Sequence, residues 1–229
     1  MKYSEERSFG INALFFILSI ASIFIIPVII TIILRNYTNN YYVLELTSNG
    51  LLIIFLFSLY FKDLKREAKI YFSEFGKNFS KSIKYYIVGI IAMIIFNLLI
   101  SIIVNKGVSD NENLVREMLF KSPVFTMLSI IILAPLSEEL IFRKSLQPLV
   151  KNKWIYATLC GLLFGGAHLL AGEFVISDLL YLLPYGSLGF VFALMDYETK
   201  STWTSIIIHA LHNGATGVLL LIVYYMGAL

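Results

Sequence analysis

VFTMLSIIILAPLSEELIFRKSLQ, residues 124–147, combines two properties that rarely coexist. The run as a whole is apolar and long enough to cross a bilayer, which takes about 20 residues, yet Glu138, Glu139 and Arg143 lie within it. An ionisable side chain at membrane depth costs on the order of 3 kcal/mol even on a lenient scale, so each needs a reason to be there. Helix geometry supplies one for two of them. Arg143 is i+4 from Glu139 and shares its face, whereas it is i+5 from Glu138 and rotated about 140° away. The spacing predicts a Glu139–Arg143 pair that neutralises both charges and leaves Glu138 free to point into a cavity as a general acid or base.

The rest of the chain repeats the apolar theme. Of 229 residues, 58% are hydrophobic and 14% charged, with mean hydropathy +0.79, a balance foreign to a soluble globular surface. Seven segments are apolar and long enough to span, roughly 11–34, 43–61, 85–104, 124–147, 154–171, 174–195 and 203–226. We expect an all-α, polytopic transmembrane bundle forming one integral membrane domain over 1–229. The first run has no small-x-small cleavage pattern after it and is expected to be retained. Cys160 is the only cysteine, so an intramolecular disulfide is excluded.

Lysine and arginine set the orientation. Fourteen fall at the N-terminus and in alternate loops (Lys2, Arg7, Lys62, Lys65, Arg66, Lys69, Lys77, Lys81, Lys84, Arg143, Lys144, Lys151, Lys153, Lys200) against four on the other side (Arg35, Lys106, Arg116, Lys121). The positive-inside rule therefore puts the N-terminus in the cytoplasm and the C-terminus outside, with Trp154 and Trp203 at the cytoplasmic interface. Residues 62–84 carry seven of these cations with apolar residues at helical spacing, which predicts an interfacial amphipathic helix resting on anionic lipid, with substrate docking as a second role. The polar stretch 105–122 carries no readable role.

Two further segments hold polar residues at membrane depth. His168 lies in LLFGGAHLL, and His209 lies in IIIHALHNGA with Asn213 one turn on. His209 and Asn213 at i and i+4 present an imidazole and a carboxamide on one face, and both can donate hydrogen bonds; His212 is a rival to His209. Gly161 and Gly165 form a small-xxx-small pair that admits a close neighbour. Counted from the cytoplasmic helix ends, Glu138, His168, His209 and Asn213 lie ~14, ~21, ~9 and ~15 Å deep, so one slab holds them all. Pro135 and Pro184 interrupt helical hydrogen bonding and can open a watery recess nearby.

In order along the chain, Glu138-Glu139-x-x-x-Arg143, Phe164-x-x-x-His168 and His209-x-x-x-Asn213 resemble the CPBP family, the CAAX proteases and bacteriocin-processing enzymes that include the Abi-type proteins. The resemblance covers about 123–226. It implies an intramembrane endopeptidase in which Glu138 and His168 activate water, His209 and Asn213 form an oxyanion hole, and Glu139 with Arg143 gives support. It implies peptide maturation, bacteriocin processing or self-immunity in a bacterial cytoplasmic membrane, and we expect the catalytic recess to be reached from the cytoplasmic side or laterally. The expected partners are membrane lipids and a peptide or protein with a membrane-associated segment, without nucleic acid. No cofactor is expected; the alternative is zinc on Glu138, His168 and His209, although HExxH is missing. A proton-coupled transporter would require two-sided access and an internal repeat, and no repeat is evident. A non-catalytic scaffold or immunity protein is the remaining alternative.

Overall fold

The computed structural model describes residues 7–104, 108–170 and 175–228. Lys2, Asn105, Lys106, Ala171 and Phe174, which contribute charge or segment ends to the sequence reading, lie outside them. Among the described residues there are no strands, and eight helices follow in order: α1 (Phe9–Leu34), α2 (Tyr41–Ser73), α3 (Phe75–Val104), α4 (Asp110–Lys121), α5 (Pro123–Lys144), α6 (Lys153–His168), α7 (Leu182–Thr199) and α8 (Thr202–Tyr225). Ser8, Asn40, Ser109 and Asn152 each start a helix by accepting a free backbone N–H on their side chains. Six helices are long and apolar enough to cross a membrane: α1, α2, α3, α5, α8, and α7 together with the 3-10 turn Ile176–Tyr181 before it. The segment expected at 154–171 forms α6, which at 16 residues is shorter than a typical span. The polytopic helical bundle is therefore as expected, with six spans by length among the described residues and the shorter α6 beside them.

The polarity of the bundle is inverted relative to a soluble protein. Ile17, Ile54 and Ile102 are 61%, 66% and 78% exposed, whereas Ser19, Ser82 and Thr204 are fully buried. With hydrocarbon outside there is no reason to hide apolar side chains, and polar ones must find partners within. Ser19 Oγ and Tyr60 OH, 2.9 Å apart, join α1 to α2 in this way.

Residues 62–84 do not form the separate interfacial helix expected. Residues 62–73 continue α2, the chain turns only at Glu74, and α3 begins at Phe75. The reason lies on the inner face of that stretch. Asp63, fully buried, pairs with Arg7 and with the partly exposed Arg66, and Glu67 pairs with Lys144 inside the bundle. Lys144, which the sequence reading assigns to a loop, is fully buried.

α5 is the irregular helix. Its α-helical pieces are separated by π-turns at Ser129–Leu133 and Leu140–Lys144, so Glu138 and Glu139 occupy a short α-segment between two wide turns. In the first π-turn the N–H of Ala134 reaches Ser129 O. The next bond in that register would join Ile130 O to the N–H of residue 135, which is proline and has none. Asn213 Nδ2 of α8 donates to Ile130 O instead, at 2.8 Å. The second π-turn carries Arg143 and Lys144 into the interior side by side.

α6 and α7 pack through glycines. A Cβ on Gly161 would come within 2.7 Å of Gly186 O, and one on Gly189 within 3.0 Å of Gly161 Cα. Gly161→Ala is expected to force these helices apart and lower the unfolding temperature in detergent, because the obstructing atom is backbone. Gly166→Ala, whose Cβ meets nothing within 4 Å, is expected to be neutral or slightly stabilising. Equal unfolding temperatures for the two variants would contradict the close approach.

Candidate active site

Buried charge organises the site. Arg143 NH1 lies 3.2 Å from Glu139 Oε1, and both side chains are fully buried. The guanidinium lies 4.4 Å over the Phe164 ring and 5.6 Å from the Phe192 ring, so aromatic faces replace part of its lost hydration. His209 Nδ1 lies 2.8 Å from the same Glu139 oxygen. With Glu139 ionised beside Arg143, the carboxylate can only accept, so Nδ1–H donates and the tautomer of His209 is set.

Glu138 stands differently. Its side chain is a quarter exposed, and Oε2 lies 3.8 Å from His209 Nε2, beyond hydrogen-bond reach. That oxygen is buried without a hydrogen-bond partner. Oε2 of Glu139 likewise has no hydrogen-bond partner, but Glu139 is fully buried with Arg143 and His209 on its Oε1, whereas Glu138 is the partly exposed one of the two.

A recess of about 410 Å³ runs past Glu138, within the roughly 300–1,000 Å³ of ordinary ligand pockets. His168, His209, His212 and Asn213 line it as well, while Glu139 and Arg143 do not. The structure therefore brings four of the six predicted residues to one cavity and places the other two behind it. His168 Nδ1 donates to Phe164 O at 2.8 Å, the carbonyl four residues back on α6, which leaves Nε2 as the basic nitrogen. The imidazole stacks on Tyr185 at 4.4 Å and 26°. His212 Nδ1 meets Tyr86 OH at 3.1 Å, so it is tied to α3 rather than to the carboxylates.

Among the described residues, no three His, Cys, Asp or Glu side chains are placed closely enough to hold a metal ion. Glu139 takes Nδ1 of His209 and leaves Nε2 open.

Sequence reading missed the partners on other helices. Tyr185 carries no motif, yet it stacks on His168 and its hydroxyl meets Ser109 Oγ at 2.7 Å and Asn111 Nδ2 at 3.3 Å. This brings α4, within the stretch to which no role was assigned, to the rim of the recess. Tyr156 OH, which donates to Asp196 at 2.7 Å beneath the site, was equally invisible. The polar residues at depth were legible as anomalies, but their partners required the packing.

Comparison with known proteins converges on the same segment. Residues 120–215 match the family model "Type II CAAX prenyl endopeptidase Rce1-like", which bears out the resemblance drawn from the motifs. "Putative membrane peptidase YdiL" of Bacillus subtilis (strain 168) is 28% identical over 149 residues, 64% of this chain and 51% of the relative. The chain thus spans about half the length of the curated relative it matches. No solved structure matches it. Both matches support a membrane protease of the CAAX type.

The Glu139–Arg143 pair makes a stability prediction. Arg143→Met leaves a buried carboxylate without its cation, a loss of about 3–5 kcal/mol in comparable cases, and is expected to lower the unfolding temperature sharply. Arg143→Met with Glu139→Gln removes both charges and is expected to recover much of the loss. A double variant no more stable than the single would refute the pairing.

Proposed function

We propose that this chain is an intramembrane endopeptidase that hydrolyses a membrane-associated peptide, with residues 120–215 as its Rce1-like catalytic part. The observation that carries the reading is that Glu138, a quarter exposed and with no hydrogen-bond partner on Oε2, lines the recess, while Glu139, fully buried and held through Oε1 by Arg143 and His209, does not.

In this reading a water molecule sits between Glu138 and His168. Its oxygen attacks the peptide carbonyl carbon while its proton passes to Glu138, with Nε2 of His168 as the second acceptor. The carbonyl oxygen becomes an oxyanion. Asn213 Nδ2 has two hydrogens, of which one goes to Ile130 O, and the other is available to the oxyanion. His209 already donates from Nδ1, so donation from Nε2 requires the imidazolium, for which the carboxylate of Glu139 on Nδ1 is the counter-charge while Glu138 holds the proton of the water. Collapse of the intermediate breaks the C–N bond, and the proton held by Glu138 leaves with the amine. Removing one such oxyanion donor typically costs about 10²–10³-fold in rate, or about 2.7–4 kcal/mol. Glu139 and Arg143 act by holding His209 in place.

The basic end of the bundle is filled by buried ion pairs, which favours hydrolysis over transport, since transport needs access from both sides. Bacteriocin processing, maturation of a leader or signalling peptide, and self-immunity are the physiological roles that fit a bacterial cytoplasmic membrane. A zinc mechanism on Glu138, His168 and His209 is the alternative chemistry, and a non-catalytic scaffold the alternative function.

Cells carrying the wild-type chain and cells carrying Glu138→Gln at matched expression are expected to differ in specific peptide fragments by mass spectrometry. With purified protein, Glu138→Gln and His168→Ala are each expected to lower kcat at least about 10²-fold, Asn213→Ala by a similar factor, and a chelator to change nothing. Full activity in Glu138→Gln or His168→Ala would overturn the assignment, and loss of activity on chelation would favour zinc.

A further inference from the structure

We infer that the catalytic recess is entered only from the face of the membrane opposite the basic loops, so that the substrate is an exported or outward-facing peptide segment rather than a cytoplasmic one. The inference rests on the endopeptidase reading for the word substrate, but its geometry stands independently.

The two ends of the bundle are unlike. Basic residues collect where α2 meets α3, where α5 passes to α6, and where α7 passes to α8. Directly inside that end, the space is filled by charged and polar groups that satisfy one another. Lys144 pairs with Glu67, whose other oxygen accepts the Thr202 N–H at 2.9 Å. Tyr156 donates to Asp196, and Arg143 pairs with Glu139. All of these side chains are 0–1% exposed. A peptide entering from this end would have to strip several buried charges of their partners, at a cost that no substrate contact there offsets.

The recess runs the other way. At about 1.5 Å per residue, Glu138 is roughly 9 Å from the end of α5 at Lys144, and His209 roughly 10 Å from the start of α8 at Thr202. From this depth the lining continues away from the basic end, through Asn213 and Leu220 of α8 and the start of α7 at Tyr185, to the inner side of α4. α4 follows the end of α3 at Val104, the end opposite the basic turn at Glu74. At the rim there, Glu112 and Arg116 neutralise one another as a pair at 2.8 Å, and Asn111 reaches Tyr185. Below it the walls are largely apolar, with Met93, Val115, Leu188 and Leu220. The chemistry suits an extended segment with apolar, uncharged side chains near the scissile bond. With the buried Arg143 and Lys144 left out, lysine and arginine still stand twelve to four in favour of the other face, and the positive-inside rule places this mouth outside the cytoplasm.

The lone cysteine makes a direct test possible. In a Cys160→Ser background, Val115→Cys places a thiol on the recess side of α4 and Lys151→Cys places one on the basic face. Leu114→Cys, on the exposed side of α4, serves if Val115→Cys does not accumulate. Intact bacterial cells are treated with a membrane-impermeant maleimide, and labelling is normalised to total thiol after denaturation in detergent. In intact cells the Val115→Cys or Leu114→Cys variant is expected to label at least about tenfold more than the Lys151→Cys variant, which reacts only after permeabilisation. The reverse pattern, or labelling of both only after permeabilisation, overturns the inference. The substrate half is read from the peptides that vanish with Glu138→Gln. Termini lying in outward-facing or exported segments are expected, and fragments solely from cytoplasmic segments would overturn it. If no peptides vanish, the endopeptidase reading fails while the labelling result still decides the direction of access.

Discussion

The structure depends on one constraint: a guanidinium and a carboxylate, Arg143 and Glu139, are both fully buried inside a membrane protein. Neither could remain there alone. Pairing removes most of the cost, and the rings of Phe164 and Phe192 take up the remaining faces of the guanidinium. This requirement ties α5 to α6 through Phe164 and to α7 through Phe192. The second bond of Glu139, to His209, adds α8. Four helices are thus located by one charge pair, and they carry Glu138, His168, Tyr185, His209 and Asn213 of the recess, whose walls α3 and α4 complete.

The irregularity of α5 follows from the same demands. A regular helix would send Arg143 and Lys144 about 100° apart, and only one could readily face the interior. The π-turn at Leu140–Lys144 lets both be buried, one against Glu139 and the other against Glu67. The earlier π-turn, with Pro135 after it, releases the carbonyl of Ile130 and gives Asn213 something to hold. π-turns inside α-helices often mark functional sites. Here each one can be traced to a particular side chain it accommodates.

The two glutamates also show how identical residues acquire different chemistry. Glu139 is fully buried, is held through Oε1 by Arg143 and His209, and does not line the cavity, which suits the positioning role proposed for it. Glu138, one residue earlier, lines the recess with an oxygen that has no hydrogen-bond partner, which suits the reactive role proposed for it. The glycine contacts between α6 and α7 serve the same arrangement at a distance, since they bring Phe164 and His168 against Tyr185.

The sequence by itself determined that this is a helical membrane protein and that Glu138, Glu139, Arg143, His168, His209 and Asn213 are its anomalies, because the cost of a polar group in hydrocarbon depends on residue type and depth alone. It also settled which glutamate pairs with Arg143, because an i+4 relation is a property of one helix. It misjudged residues 62–84, taken as a helix on the membrane surface, because the partners of Asp63 and Glu67 include Arg7 and Lys144, far away along the chain. It was silent about Tyr185 and about α4 beside the recess, and it expected that recess to be reached from the cytoplasmic side or laterally, whereas the lining runs away from the basic end. Those depend on which helix ends meet and which charges fill the space between them. Only the tertiary structure decided them, since contacts between helices distant in sequence leave no periodicity in any one of them.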